Sequence, residues 1–127
     1  MAKNPKLHTT SCKWTFAADG AGTVGTQADI KDSPNIPDNA IITSCVMYVK
    51  TAPGGAGGGI KIALNGTSDP LVCEFSGANI GTAENVIAGA LKGGKAVGVS
   101  KVTISPVTAV FSTGGDIRFV FTYVLGA

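Results

Sequence analysis

The sequence predicts an all-β protein folded as a two-sheet antiparallel sandwich, jelly-roll-like, with about eight strands. Three observations lead to this fold class. Apolar side chains recur at every second position over most of the chain, which is the spacing of pleated strands. The 18 glycines are about twice the usual share of roughly 7% and separate short apolar runs, where they indicate turns. The length of 127 residues suits one domain with a single core.

The clearest predicted strand lies near the carboxyl end, at residues 117–125. Its bulkier side chains fall on one face of the pleat and are Ile117, Phe119, Phe121, Tyr123 and Leu125. Two further short strands alternate at residues 60–64 and 71–75. The sequence NGTSDP at residues 65–70 joins them, and its Asn-Gly pair and proline predict a tight turn.

Residues 41–51 predict a central strand, because β-branched and aromatic residues are frequent there and both faces are apolar. A strand of this kind is expected to be covered on both sides. Further strands are predicted at the following segments: residues 9–16, 23–30, 85–91, 97–104 and 107–111. Residues 83–91 are the only segment with helical character, and the glycines within and around them make a long helix unfavourable.

Strands this short and this numerous predict a jelly roll or a related Greek-key sandwich. The main alternative is an immunoglobulin-like sandwich. Its expected spacing of cysteine and tryptophan is missing, because Trp14 lies next to Cys12 at the start of the chain and precedes Cys45 and Cys73. We therefore expect an extended amino-terminal arm at residues 1–7 and a single sandwich domain at residues 8–127.

The composition argues against several kinds of partner. Charged residues form 14% of the chain and the net charge is +2, so a nucleic-acid partner is not expected. No apolar run is long enough for a membrane-spanning helix, and we expect no membrane contact. The first seven residues lack the apolar stretch of a secretory signal, which predicts synthesis in the cytoplasm of the cell that makes the protein.

The three cysteines predict neither a metal site nor a disulfide framework. Cys12, Cys45 and Cys73 are far apart in sequence, and His8 is the only histidine. Cys45 and Cys73 lie in apolar strand-like runs, so we expect both to be buried and reduced. Cys12, near the amino end, is expected to be the more accessible thiol.

Three motifs invite an enzymatic or modification hypothesis. The sequence GAGTVG at residues 20–25 matches the dinucleotide pattern GxGxxG, but no helical periodicity follows it, so a loop is predicted. The sequence GALKGGK at residues 89–95 begins like a phosphate loop, yet Ala96 stands where a magnesium-binding hydroxyl is needed. The glycosylation sequon at residues 65–67 is explained by the predicted turn.

No catalytic constellation emerges from the sequence. No GxSxG segment occurs, so a serine or cysteine nucleophile has no evident base beyond His8. Paired carboxylates of the glycosidase kind could meet in the fold, but the sequence singles out no pair. We expect a protein that is not an enzyme, with no catalytic residues, no cofactor and no bound metal.

Two segments carry a family resemblance. The sequence IPDNAIIT at residues 36–43 leads into the strand at residues 41–51. In the last third, VTISPVTAVFSTGG at residues 102–115 precedes the aromatic run DIRFVFTYV at residues 116–124. Both resemble small virion proteins of tailed bacteriophages, in which IPxxAxIT opens an amphipathic strand and a VTAxxLTAG turn precedes an aromatic closing strand. Here FSTGG takes the place of LTAG.

The resemblance implies a capsid decoration, or cement, protein that binds the outer surface of the shell formed by the major capsid protein. The expected location is the capsid surface of the virion, and the expected assembly is a homo-oligomer, a dimer or a trimer. Ile36, Pro37 and the strand from Ile41 are candidates for an apolar interface, although ordinary core is the favoured interpretation. The alternative function is a glycan- or receptor-binding module of a phage fibre or tail.

The amino-terminal arm is the predicted partner contact. Its candidate residues are Lys3, Asn4, Pro5 and Lys6. The arm has little that could anchor in a core, so we expect it to be mobile in the free protein. On a shell it would order against neighbouring molecules, with its lysines near acidic groups.

Overall fold

The structure is a computed structural model that describes residues 6–24, 26–54, 59–64, 71–76, 83–91, 95–107 and 110–126. Within these ranges it contains ten strands and one short helix. The strands are β1 (His8–Thr15), β2 (Ala28–Asp29), β3 (Asn35–Ile36), β4 (Ala40–Thr51), β5 (Ile60–Leu64), β6 (Leu71–Phe75), β7 (Asn85–Ala88), β8 (Ala90–Leu91), β9 (Ser100–Pro106) and β10 (Asp116–Leu125). The helix α1 (Phe16–Asp19) follows β1 directly. Among the described residues, no helix has the length and apolarity needed to cross a membrane.

The strands form two antiparallel sheets. The four-stranded sheet has the order β1–β10–β4–β7, and the other has the order β2–β9–β5–β6–β8, with β3 also paired to β9. The pairings are nested: β1 pairs with β10, β2 and β3 with β9, β4 with β7, and β5 with β6. Successive nested pairs alternate between the two sheets. This nesting is the topology of a jelly roll, and the predicted fold class is confirmed.

The core lies between the sheets and is filled by the inward side chains of the long strands. The four-stranded sheet contributes Cys12, Trp14, Ile42, Cys45, Met47, Val49, Ile117, Phe119 and Phe121. The other sheet and its loops contribute Ile30, Ile36, Ile60, Ile62, Leu64, Cys73, Phe75, Val102, Ile104 and Phe111. Phe75 and Phe119 meet across the two layers with ring centroids 5.9 Å apart. Burial of these apolar side chains is the main force that holds the layers together.

The short helix ends β1 by turning the chain out of the sheet. The Thr15 hydroxyl accepts a hydrogen bond from the Ala18 N–H at 3.3 Å, which satisfies one of the free donors of the first turn. Gly20 closes the helix at φ +79°, a conformation that glycine adopts without strain. The helix was not predicted, because four residues leave no apolar periodicity to detect.

Several predicted boundaries are corrected by the structure. Residues 97–99 form a bend, and β9 begins only at Ser100. The described residues of 107–111 are not in a strand, and in 23–30 the pairing is confined to one bridge and β2. Residues 85–91 contain β7 and β8 and no helix. The predicted turn at residues 65–70 lies outside the described residues.

The prediction that residues 41–51 are covered on both faces is wrong. The strand β4 is central, between β10 and β7, but buried and more exposed side chains alternate along it. Ile41 is 38% exposed, whereas Ile42 is 2% exposed. Only one face of β4 meets the core, so its outward apolar side chains face solvent.

Candidate interaction surface

The motifs that suggested enzymatic chemistry lie in loops or strands. Gly20 and Gly22 have positive φ, and the strand β2 follows them where a dinucleotide site needs a helix. The loop prediction is confirmed for the described part of this motif, and Gly25 lies outside it. Of the segment 89–95, Ala90 belongs to β8 and Lys95 forms a bridge with Ile41, while residues 92–94 lie outside the described residues.

The described side chains offer no assembled reactive centre. Within the described ranges, no three histidine, cysteine or acidic residues lie close enough to hold a metal ion. His8 stacks on Tyr123, with ring centroids 5.1 Å apart. Two shallow grooves are lined by described residues, and each contains one carboxylate, Asp32 in one and Glu74 in the other. Neither groove has the paired carboxylates of a glycosidase.

All three cysteines are buried. Burial of Cys45 and Cys73 is confirmed, and Cys12, expected to be the more accessible thiol, is buried as well, with an exposed fraction of 3%. Cys12 points inward from β1 beside Trp14, so its position near the amino end does not expose it. Burial, together with the charges of Asp32 and Asp19, raises the pKa of Cys12 to about 12. Burial and a hydrogen bond with Cys73 raise the pKa of Cys45 as well.

The predicted arm contacts lie mostly outside the described residues. Lys3, Asn4 and Pro5 belong to that undescribed part, and Lys6 is exposed. Leu7 is 59% exposed and directly precedes β1. The partner role of the arm therefore stays a prediction. Ile36, one of the candidate interface residues, is fully buried in the core.

Part of the outward face of the larger sheet is covered by its own chain. Thr103 and Ser105 point away from the core on β9, yet they are 0% and 2% exposed. The side chain of Gln27 lies over them. Its amide nitrogen donates to the Ser105 hydroxyl at 2.7 Å, and its amide oxygen accepts from the Thr103 hydroxyl at 2.9 Å. The residue before β2 therefore covers the β9 part of this face, while the side chains of Lys61 and Glu74 beside it are 44% and 38% exposed.

No described segment provides such a cover for the outward face of the four-stranded sheet, and we call this face the open face. Its side chains form four rows across the strands: Val124, Ile41 and Lys95; Thr9, Thr122 and Ser44; Ser11, Val120, Val46 and Ala88; and Lys13, Arg118, Tyr48 and Val86. Continuing the register of β1 and β10 by one residue places Leu7 beside Val124. The middle of the open face is made of hydroxyl and small apolar side chains.

The polar groups in the open face bond to one another. The register of β4 and β10 shifts at Thr43, which adds a residue opposite Thr122. The hydroxyl of Thr122 lies 2.9 Å from that of Thr43 and 2.5 Å from that of Ser44. The Tyr48 hydroxyl donates to a carboxylate oxygen of Glu84 at 2.5 Å. These groups do not need a partner molecule to complete their hydrogen bonds.

Positive charge is confined to the two ends of the open face. Lys13 and Arg118 are cross-strand neighbours in one end row, and Lys95 lies in the opposite end row. Arg118 pairs with Asp116 at 3.5 Å, whereas Lys13 and Lys95 form no ion pair with any described residue. The four rows themselves contain no acidic side chain.

The sequence interpretation missed the open face, although its signal was present. The alternation of Thr9 and Ser11 with Cys12 and Trp14 indicates a one-sided β1. On β4 and β10 the outward residues include Val46 and Val120, whose apolar character concealed the same alternation. Which face a second layer covers is decided by packing, and packing is not encoded in the period of one strand.

Comparisons with known proteins support the fold. No protein-family model matches the chain, and no curated protein matches its sequence. Among solved structures, the chain is similar to one in the capsid asymmetric unit of cyanophage Pam1, with a TM-score of 0.62 and 18% identity. That match covers 99% of this chain and 89% of the other.

Two further capsid structures contain similar chains. The match in the capsid of Ralstonia phage GP4 has a TM-score of 0.55 at 18% identity and covers 100% of this chain and 90% of the other. The match in the acid-stable capsid of Helicobacter pylori bacteriophage KHP30 has a TM-score of 0.52 at 13% identity and covers 98% and 95%. At these identities the likeness establishes a shared fold over nearly the whole chain.

Proposed function

We propose that the protein is a non-enzymatic structural protein of a bacteriophage virion and acts as a capsid decoration, or cement, protein. It binds the outer surface of the shell formed by the major capsid protein. The observation that carries this proposal is the likeness over nearly the whole chain to chains from the capsids of three phages. The segments at residues 36–43 and 102–124 point to the same class from sequence alone.

The physical character of the chain suits this role. A protein that coats a shell is present in many copies at high density, so a strongly charged surface would cause mutual repulsion. The net charge of +2 keeps that repulsion small. No described segment covers the outward face of the four-stranded sheet, which provides contact area without any further domain. A dimer or trimer on the shell remains part of the proposal.

The alternative, a glycan- or receptor-binding module of a phage fibre or tail, receives less support. Sugar-binding sites of this kind place aromatic rings at the surface. Here the rings of Trp14, Phe111, Phe119 and Phe121 are each no more than 1% exposed. Most aromatic side chains of this chain build the core, and Tyr48, on the open face, bonds to Glu84.

The proposal is tested on purified particles of the phage whose genome encodes this chain. Mass spectrometry of the particles is expected to detect the protein, and cryo-electron microscopy is expected to place its jelly roll on the outer shell. Particles made without the gene should keep an intact shell and bind the added purified protein. Density at the tail or fibres would favour the alternative function, and absence from the particle would refute both.

A further inference from the structure

We propose that the open face is the surface that contacts the shell, and that it fits a flat, uncharged patch bordered by carboxylates on the shell protein. This inference rests on the proposed function and adds to it the docking surface and the chemistry of its partner. The argument uses the contrast between the two sheet faces, the saturation of polar groups, and the distribution of charge.

The contrast between the faces identifies the one that is available. On the outward face of the larger sheet, Gln27 buries Thr103 and Ser105, and the more exposed side chains beside them are the ion pair of Lys61 and Glu74. On the four-stranded sheet, Val120 is 41% exposed and Val86 is 62% exposed, although both lie within paired strands. An uncovered apolar sheet face in a monomer is typical of a contact surface.

Several polar groups of this face are inexpensive to dehydrate. A buried hydroxyl that loses water without gaining a partner costs about 1–3 kcal/mol. Thr122, Thr43 and Ser44 already share their hydroxyl contacts, and Tyr48 bonds to Glu84. A partner surface therefore need not supply hydrogen bonds to these four groups.

The distribution of charge argues for carboxylates at the border of that patch. Lys13 lies at one end of the open face and Lys95 at the other, and neither forms an ion pair with a described residue, whereas Arg118 is paired with Asp116. The six residue steps from Arg118 to Val124 separate these ends by roughly 20 Å. Lys6 adjoins Leu7 at the Lys95 end and adds positive charge there. Carboxylates about 20 Å apart on the shell would meet both ends.

The open face is smaller than a typical stable interface. Four strands about 4.8 Å apart and roughly 20 Å long present about 400 Å². Stable interfaces bury about 800 Å² on each partner. The open face supplies about half of this area, and the exposed residues Lys6 and Leu7 adjoin it at the Lys95 end.

The experiment measures binding to particles that lack this protein, by co-sedimentation over a range of protein concentrations. Val120→Glu places a charge at the centre of the open face, and the double variant Lys13→Glu with Lys95→Glu reverses its ends. Val110→Glu and Lys101→Glu are the matched controls, since Val110 precedes the core residue Phe111 and Lys101 lies on β9 of the other sheet. Melting temperatures establish that each variant is folded.

We expect Val120→Glu and the double variant each to weaken binding at least tenfold, with both controls within twofold of the original protein. Binding by the original protein should weaken as salt is raised, and less so for the double variant. Equal binding by all folded variants would overturn the inference while leaving the proposed function standing. A self-association of the free protein that Val120→Glu abolishes would also overturn it. Failure of the original protein to bind would refute the proposed function itself.

Discussion

The indole ring of Trp14 lies against the phenyl ring of Phe111, with ring centroids 4.5 Å apart and planes inclined at 47°. Trp14 belongs to β1 of the four-stranded sheet, whereas Phe111 lies in the segment that carries the chain from β9 to β10. Each ring is 1% exposed. This contact therefore packs the connection from β9 to β10, where the chain passes from one sheet to the other, against β1.

Replacing Phe111 with alanine is expected to lower the free energy of unfolding by about 3–5 kcal/mol, because a large core ring is removed and a cavity remains. Urea unfolding followed by tryptophan fluorescence measures the effect, since Trp14 is the only tryptophan. Val110→Ala, at the neighbouring exposed position, is the control and should change the value by less than 1 kcal/mol. Equal effects at both positions would contradict the packing role of Phe111.

Gly115 is a second test of close packing around Trp14. Its φ is +120°, and a Cβ atom there would lie 2.8 Å from the Pro53 Cβ and 2.9 Å from the Trp14 Cζ3. Gly115→Ala should therefore destabilise the fold by about 2–5 kcal/mol, through backbone strain together with overpacking. Gly114 also has positive φ but has open space around it, so Gly114→Ala isolates the backbone contribution and should cost less. Thermal unfolding of both variants checks this order.

Gln27 is expected to stabilise the protein through its hydrogen bonds to Thr103 and Ser105 on the outward face of the larger sheet. Gln27→Ala leaves the hydroxyls of Thr103 and Ser105 without their partner in a buried site, at an expected cost of about 1–3 kcal/mol. The triple variant Gln27→Ala with Thr103→Val and Ser105→Ala should recover part of this loss, because it also removes the buried hydroxyls. If the single variant unfolds at the same urea concentration as the original protein, these bonds contribute nothing.

The buried thiols predict a dependence of stability on alkaline pH. The thiol of Cys12 has a pKa of about 12 in the fold, against 9.0 when exposed. The folded form thus keeps a proton that the unfolded form loses, so the stabilisation is complete below pH 9 and falls as the pH rises toward 12. Urea unfolding at pH 8 and pH 10.5 should show a smaller decline for Cys12→Ala than for the original protein. Equal declines would contradict the shift.

Thiol alkylation tests the burial of the cysteines directly. At neutral pH, Cys12, Cys45 and Cys73 should all resist an alkylating reagent in the folded protein and all react in urea. Mass spectrometry after digestion counts the modified sites. Rapid modification of Cys12 alone would show that the strand β1 opens readily at its edge.

The arm is tested by deleting residues 2–6. The melting temperature of the free protein should stay nearly unchanged, because β1 begins at His8 and no described residue before it belongs to the core. Attachment to particles that lack the protein should weaken, since Lys3 and Lys6 are lost with the arm. Unaltered attachment would remove the arm from the proposed contact, and loss of folding would assign it to the sandwich.

The sequence by itself determined the fold class and the positions of the strongest strands. Alternation in β10, and in β5 and β6, is visible without a structure, because a pleated strand with one buried face repeats every two residues. The predicted start of the strand at residue 97 was wrong, because β9 begins at Ser100. Valines favour a strand there, but a bond from the Gly98 N–H to the Asp38 carboxylate, 60 residues away, holds a bend.

The tertiary structure decided which sheet faces are covered. The exposure of Val120 and Thr103 is the opposite of what their polarity predicts, since the valine is 41% exposed and the threonine is fully buried. Gln27 covers the threonine, whereas no described segment covers the valine. The burial of Cys12 was not predicted either, because burial depends on what packs against a residue and not on its position in the sequence. Alternation at every second residue shows that a strand has two different faces. Contacts between residues distant in sequence decide which layer packs against each face.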